Sequence, residues 1–399
     1  MSTADRVVLD VDGVDVSITH PGRVVFADLG VTKLDLVRYY LDLAAPVLDG
    51  VAGRPMILKR FTRGIAAEAF FQKQAPDSRP AWVDVVELRY ASGHTVQEVV
   101  VRDAPGLAWV VNLGCIDLNP HPVRAEDLAH PDELRIDLDP VPGVQWPQVL
   151  EVAMLVREVL ADHGVVGWPK TSGSRGFHVY AALEPGWTYR DVRLAAHAVA
   201  REAERREPGL ATARWWKEER QGVFIDFNQN AYDRTVASAY SVRPTPDARV
   251  STPLTWAQVP ICRPAQHTVR TVPDRVAAEG DPWAGMRAAP ASIGALLDLG
   301  EQLGPAPRAP KGTGRRVATM PVIEIARAPT QAQAQEGLAR WKARHPVAAA
   351  ALHEADVLVD RMRGRSSLWY RIRVNLQHVA EADRPPQEPL EVDYDPWGG

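Results

Sequence analysis

Residues 133–140 read "ELRIDLDP", and the reading of this stretch decides how the rest of the chain is understood. Successive side chains of a strand point to opposite faces, so Asp137 and Asp139 project together while Ile136 and Leu138 enter a core. Two neighbouring carboxylates repel each other, and the edge of a core is a costly place for them. Two readings compete. A hard divalent cation such as Mg²⁺ or Mn²⁺ prefers oxygen ligands and would remove the repulsion. Alternatively, the pair sits on a solvated strand end beside a loop. The pair alone does not choose.

Three other segments bear on the choice. "WPKTSGSRGFHVYAAL" (168–183) reads as strand, Gly-rich turn, strand. Its small residues expose backbone N–H groups that can form a concave anion site. Arg175 would add a fixed cation, Ser172 a hydroxyl donor, and His178 a group within reach of a phosphate. The same residues also fit a plain hairpin turn with a structural histidine. "GVFIDFNQN" (222–230) reads as a strand with one acidic residue, Asp226, in an apolar run. A buried carboxylate needs a metal, a cation or a salt bridge to offset its desolvation. In "YSVRPTPDARVSTPLTW" (240–256), Ser241 and Arg243 are donors for a phosphate or members of a salt bridge. Together, three carboxylates, a Gly-rich loop and further cations are the parts needed for two-metal phosphoryl transfer.

The remaining pattern is mixed. "RVVLDVDGVDVSITH" (6–20) alternates around a "DG" turn and predicts a hairpin. "TKLDLVRYYLDLAAPVL" (32–48) predicts a helix capped by Thr32, and 146–164 and 188–208 predict two more. "RPMILKRF" (54–61) and "ELRIDLDP" predict strands. Helices between strands and hairpins imply an α+β fold with helices packed on largely antiparallel sheet. After Leu303, "GPAPRAPKGTGRR" reads as a linker, placed at 304–319. Residues 320–399 then form a smaller, mostly helical unit, with helices over 330–345 and 349–362 and a strand or helix over 366–379. Its "DRMRGRSSLWYRIRVNL" interleaves Arg361, Arg363, Arg365, Arg371 and Arg373 with Trp369 and Tyr370. That is either a surface for DNA phosphate or a partner, or a packed domain with a solvated basic edge.

The net charge of −4 excludes a coat that binds nucleic acid by charge alone, so any such site is a local patch. The only cysteines, Cys115 and Cys262, match no zinc spacing and no disulfide framework. No secretory pattern opens the chain and no apolar run reaches the length of a membrane span, so a cytoplasmic protein is expected.

In order and wording, nine segments resemble the polymerase domain of bacterial DNA ligase D, of the archaeo-eukaryotic primase (primase-polymerase) superfamily. They are "ITHPGRVVF", "TKLDLVRYY", "GRPMILKRF", "AFFQKQ", "LAWVVNLGCIDLNPHP", "RIDLDP", "KTSGSRGFHVY", "VFIDFNQN" and "TVASAYSVRPTPDARVSTPLTW", spanning about 17 to about 300. The resemblance implies an RRM-like catalytic sheet within residues 1–303, as an N-terminal module to about 125 and a catalytic module from about 126. It implies that Asp137, Asp139 and Asp226 hold Mn²⁺ or Mg²⁺ in a two-metal site. It implies that Ser172, Arg175, Gly176, His178, Ser241, Arg243 and Asn119 face a nucleoside triphosphate. Arg23 and Lys33 would hold the 5′-phosphate across a gap, with Lys59, Phe70 and Phe71 also on DNA. The chain departs from the family at Arg175 and Arg23, where lysine is common, and at Asn119, where histidine is common. No "K-x-D-G" adenylation motif and no His-rich cluster appears. The resemblance therefore implies a stand-alone, nucleoid-associated polymerase with a C-terminal extension, for gap filling or non-homologous end joining, with a DNA ligase and Ku acting in trans. Two other readings remain: a non-catalytic scaffold that grips gapped DNA and recruits a ligase, and a glycosyltransferase that uses "RIDLD" for a nucleotide-sugar's metal. The latter leaves Asp226 and the Phe pair without a task.

Overall fold

The computed structural model describes residues 5–90, 93–305, 318–363 and 368–395. The chain forms two compact units. One comprises Met1–Asp139, Trp146–Ala211 and Ile225–Pro305, and the other Pro140–Gln145, Thr212–Phe224 and Ala306–Gly399.

A five-stranded sheet is ordered Trp168–Thr171, Phe177–Ala182, Glu133–Pro140, Val223–Asp226, Ala211–Thr212, with most of its residues in the first unit. Ile136 and Leu138 are completely buried, as the alternation of the central strand requires. The helices Trp146–Asp162 and Tyr189–Arg206 pack against each other, and the first of them lies on the strand Phe177–Ala182. A second sheet runs Phe70–Gln72, Arg54–Arg60, Thr95–Val101, Asp84–Arg89, and Asn119–Pro120 pairs with Arg54–Arg60. One apolar core extends from Val11 through Tyr180 and Tyr240 to Met286. Residues from both sides of position 125 contribute to this cluster.

Local chemistry accounts for the entry to this unit. The strands Arg6–Val11 and Val14–Thr19 pair through a turn in which Asp12 and Gly13 have φ of 51° and 81°, as a two-residue type I′ hairpin requires. Thr32 caps the helix Lys33–Asp42 in a reciprocal box with Asp35. The single helix expected over 32–48 is in fact two, because Leu43 leaves helical geometry and a new helix, Ala44–Val51, begins. Pro46 explains the break: in a continuous helix its ring would meet the carbonyl of Asp42, whereas in a first turn its missing N–H costs nothing.

The second unit is not mostly helical. It contains a four-stranded sheet ordered Val357–Arg363, Leu368–Asn375, Val322–Ala328, Val392–Asp393, with the helices Gln331–Arg344 and Pro346–Ala351. The helix expected over 349–362 ends at Ala351, and residues 357–360 alternate between half-buried and buried, the period of a strand. Trp341 is the large buried side chain of this unit's core. Trp369 is also buried, while Arg371 and Arg373 both pair with Asp360. Arg371 and Arg373 are thus engaged within the sheet, while Arg361 is exposed. Residues 306–317 of the expected linker, Arg365 and the side chain of Arg363 lie outside the described residues. Among the described residues no helix is long and apolar enough to cross a membrane.

Candidate active site

Asp137 and Asp139 project from the central strand, and Asp226 ends the adjacent strand. Their donor oxygens lie within 4.8 Å of one another. The strand expected over 222–230 stops at Asp226 because a 3₁₀ turn, Phe227–Asn230, begins there. The Asp226 carboxylate accepts the Asn228 N–H at 3.0 Å and Gln229 Nε2–H at 3.0 Å, which fixes its direction. Burial, and then repulsion by Asp226, pushes the Asp137 carboxyl up to about 7.

The other end of the same strand makes the contrast. Glu133 is more deeply buried than Asp137, but Arg54, Arg135 and Arg287 surround it. Burial acts to raise its pKa, and these guanidinium groups overcome that and hold it well below the usual carboxylate range. Glu133 belongs to a closed structural network. The Asp137, Asp139 and Asp226 cluster offers all-oxygen donors, which fit hard divalent cations of the Mg²⁺ or Mn²⁺ kind.

His178 stands opposite Asp137 in the sheet register, and Lys170 opposite His178. His178 Nε2 lies 3.2 Å from Asp137 Oδ1, and its Nδ1 lies 2.6 Å from Lys170 Nζ. Lys170 is completely buried and also donates to Ala237 O at 2.9 Å and Ser251 Oγ at 2.6 Å. With Asp137 ionised, the proton count closes: His178 Nε2–H donates to Asp137, and Nδ1 accepts the third ammonium proton of Lys170. Burial, then Lys170, holds the His178 imidazole well below its ordinary pKa, so it is neutral. Lys170 escaped the sequence reading because a strand lysine ordinarily reads as solvated. Its place two residues before Ser172 was the available clue.

The Gly-rich turn lies against this line. Ser172 is buried, and its hydroxyl accepts the N–H groups of Ser174 and Gly176, each at 3.1 Å, so it shapes the loop. A Cβ at Gly176 would sit 2.4 Å from Leu138 O, and one at Gly173, where φ is +68°, 2.4 Å from Arg243 Cγ. Only glycine at 176 permits this approach to the carboxylate strand, and only glycine at 173 the approach to Arg243. Arg175 is exposed at the turn. Arg243 Nε is buried without a hydrogen-bond partner among the described residues, a donor suited to an anion.

Other expected residues take different places. Ser241 is completely buried, and its hydroxyl bonds the N–H of Leu118 at 3.1 Å and the Leu118 carbonyl at 3.3 Å. It anchors the 117–119 segment through Leu118. Asn119 Nδ2 donates to Asp117 O within that segment. Lys59 pairs with buried Asp117 at 2.8 Å and lies 6.0 Å from the ring of Phe71. Phe70 and Phe71 are 58% and 51% exposed.

Arg23 and Lys33 meet through the short hairpin Val24–Phe26 and Val31–Thr32, where the Lys33 N–H donates to Arg23 O at 2.8 Å. Lys33 Nζ bonds Thr19 Oγ1, Asn112 O and Asn112 Oδ1, each at 3.2 Å, whereas exposed Arg23 reaches Thr62 O at 2.7 Å. Asn112, which orients the ammonium, carried no sign of this role in the sequence. Cys115 and Cys262 are buried free thiols, each pushed up to about 12 by burial.

Comparison with known proteins places these features. Residues 32–283 match the model of the LigD primase-polymerase domain. The multifunctional non-homologous end joining DNA repair protein LigD of Mycobacterium tuberculosis is 34% identical over 277 residues, 67% of this chain and 36% of that protein. The LigD of Pseudomonas aeruginosa is 30% identical over 273 residues, 67% of this chain and 32% of that protein. The chain thus spans about a third of the length of these relatives. The solved polymerase domain of Mycobacterium tuberculosis ligase D, in complex with DNA, superposes with a TM-score of 0.65 at 33% identity, covering 69% of this chain and 99% of that one.

Proposed function

The chain belongs to the family of LigD primase-polymerase domains, and from that premise we propose that it is a metal-dependent, template-directed nucleotidyltransferase. Its task is to add nucleotides to a primer 3′-hydroxyl at gapped or broken DNA during end-joining repair in the cytoplasm, with ligation and end binding supplied in trans. The observation that carries this reading is the convergence of Asp137, Asp139 and Asp226 beside a Gly-constrained loop and the Arg243 Nε, a buried donor with no hydrogen-bond partner among the described residues.

Asp137, Asp139 and Asp226 would hold Mg²⁺ or Mn²⁺, which supplies charge stabilisation at the reacting phosphate and lowers the pKa of the attacking hydroxyl. The chain's own residues do the positioning. The 172–176 turn and Arg243 receive the triphosphate. Neutral His178, its Nδ1 engaged by Lys170, keeps an N–H donor directed at the Asp137 edge of the site. Phe70 and Phe71 offer flat surfaces to unpaired template bases. Arg23 and Lys33 take the downstream 5′-phosphate.

Extension of a primer across a 5′-phosphorylated gap, with Mn²⁺ or Mg²⁺ and with ribo- or deoxynucleotides, tests the reading. Asp139→Ala is expected to abolish incorporation while retaining affinity for the gapped duplex. Polymerisation that survives in Asp139→Ala would sink the assignment of the cluster. A wild-type chain that binds the gap and yields no product would be a scaffold.

A further inference from the structure

Among the described residues a second group of metal-ligating side chains lies in the second unit, where His353, Asp356 and His378 offer donor atoms within 4.8 Å of one another. The fold brings them together from separate segments. His353 opens the 3₁₀ turn Glu354–Asp356 that leads into the strand Val357–Arg363, and His378 follows the strand Leu368–Asn375. Val357 pairs with Val374, so both approaches lie at one end of the sheet. The Asp356 carboxylate is completely buried and accepts from His353 N–H at 2.8 Å, Gln377 Nε2–H at 2.9 Å and His378 Nδ1–H at 2.8 Å. Above it the two exposed imidazoles stack, with ring centroids 3.8 Å apart and planes at 17°.

We propose that His353, Asp356 and His378 form a binding site for a borderline divalent cation of the zinc type, separate from the catalytic carboxylates. Two imidazole nitrogens and one carboxylate oxygen are a three-ligand set that suits Zn²⁺ and leaves a fourth position for water. The oxygen-only cluster of the first unit suits harder ions, so the two sites differ in selectivity. Without metal, a proton bridges His378 Nδ1 and Asp356. Cation binding displaces that proton, as it does wherever a ligand must be deprotonated. Ligands each about 2.0 Å from a tetrahedral ion are about 3.3 Å apart, so the 2.8 Å contact must widen slightly, within the freedom of exposed rings. Capping of the 3₁₀ turn accounts for the Asp356 carboxylate and the His353 backbone. It does not account for two exposed imidazoles gathered over that carboxylate. The cation would clamp the start of one strand to the segment that leaves its neighbour.

The full chain, stripped with a chelator, tests this with Zn²⁺ alone as the probe, in competition with a chromophoric chelator. Wild type and Asp137→Asn should each bind one equivalent of Zn²⁺ at this site and melt at a higher temperature when it is bound. His353→Ala and His378→Gln should lose affinity by on the order of 100-fold and lose the thermal shift. Their metal-free circular dichroism should match wild type, and the thermal shift is read against each variant's own metal-free melting temperature, because His378 also donates to the buried Asp356 carboxylate. Equal Zn²⁺ affinity in wild type and both histidine variants would overturn the proposal. So would Zn²⁺ binding lost in Asp137→Asn but kept in the histidine variants, or no Zn²⁺ binding by the wild type.

Discussion

Lys33 sits at the first turn of a helix with its ammonium bonded to Thr19 and Asn112, and burial, followed by repulsion from Arg23, pulls its pKa from 10.5 down to about 8. The folded protein therefore binds this proton less well than the unfolded chain. The cost of burying the charge is present below pH 8 and is relieved as pH rises toward 10.5. A 5′-phosphate at this position acts in the opposite sense, because an adjacent anion raises the pKa and favours the ammonium. Preference for a 5′-phosphorylated gap over a 5′-hydroxyl gap should thus fall, by on the order of tenfold, between about pH 7 and about pH 9. Fluorescence titrations of the two duplexes measure it, and Lys33→Met should flatten the profile. A preference that stays constant in the wild type would remove Lys33 from the phosphate site. At this scale the three carboxylates were legible in the sequence, because strand alternation and an acid in an apolar run are local patterns. The contacts of Lys170, Asn112 and Ser241 were not. Each is defined by a partner far away in the chain, such as Leu118, 123 residues from Ser241.

The strand Phe70–Gln72 is three residues long, lies at the edge of its sheet and leaves two phenyl rings in solvent. Short edge strands resist pairing with other chains, so rings this exposed are a liability unless they have a ligand. Stacking of an unpaired base on an aromatic ring contributes about 1–3 kcal/mol. Phe71→Ala should therefore weaken binding to a gapped duplex by roughly tenfold or more. Its melting temperature should stay near that of wild type, because half of the ring is already exposed. Unchanged affinity in electrophoretic or anisotropy titrations would leave the pair without a nucleic-acid role. Elements with a clear period were readable: the 6–20 hairpin, the carboxylate strand and the two long helices. The break at Leu43 follows from Pro46 and was available in principle. The strand at Val357–Arg363 was obscured by the alanine run before it, whose helix propensity reads through to the next element until the valines at 357 and 359 are weighed.

For the whole molecule, the sequential plan of catalytic domain, linker and extension does not describe how the chain is divided. Pro140–Gln145 and Thr212–Phe224 group with the C-terminal residues. Within that unit Lys217 pairs with Asp360 at 3.1 Å, and Glu218, itself buried, accepts Asn375 Nδ2–H on its carbonyl at 3.0 Å and lies 3.5 Å from Arg373. Charges paired in this way hold two distant segments, an arrangement that composition shifts along the chain cannot reveal. By chain continuity, Asp139 directly precedes Pro140–Gln145 and Asp226 lies two residues beyond Thr212–Phe224. Removal of the extension takes away Asp360, Arg373 and Asn375, which bond Lys217 and Glu218 of the 212–224 segment. A fragment ending at Leu303 should therefore exchange amide hydrogens at 140–145 and 212–224 at least about tenfold faster than the full chain, because local stability follows local contacts. The helix Trp146–Asp162, built into the first unit's core, should keep its protection. Nucleotide incorporation by the fragment should fall more than its global melting temperature does, since two of the three carboxylates sit next to the loosened segments. Hydrogen–deuterium exchange with mass spectrometry and a parallel primer-extension assay measure both effects. A fragment with full protection at 212–224 and full activity would show that the extension has no part in holding the catalytic strands.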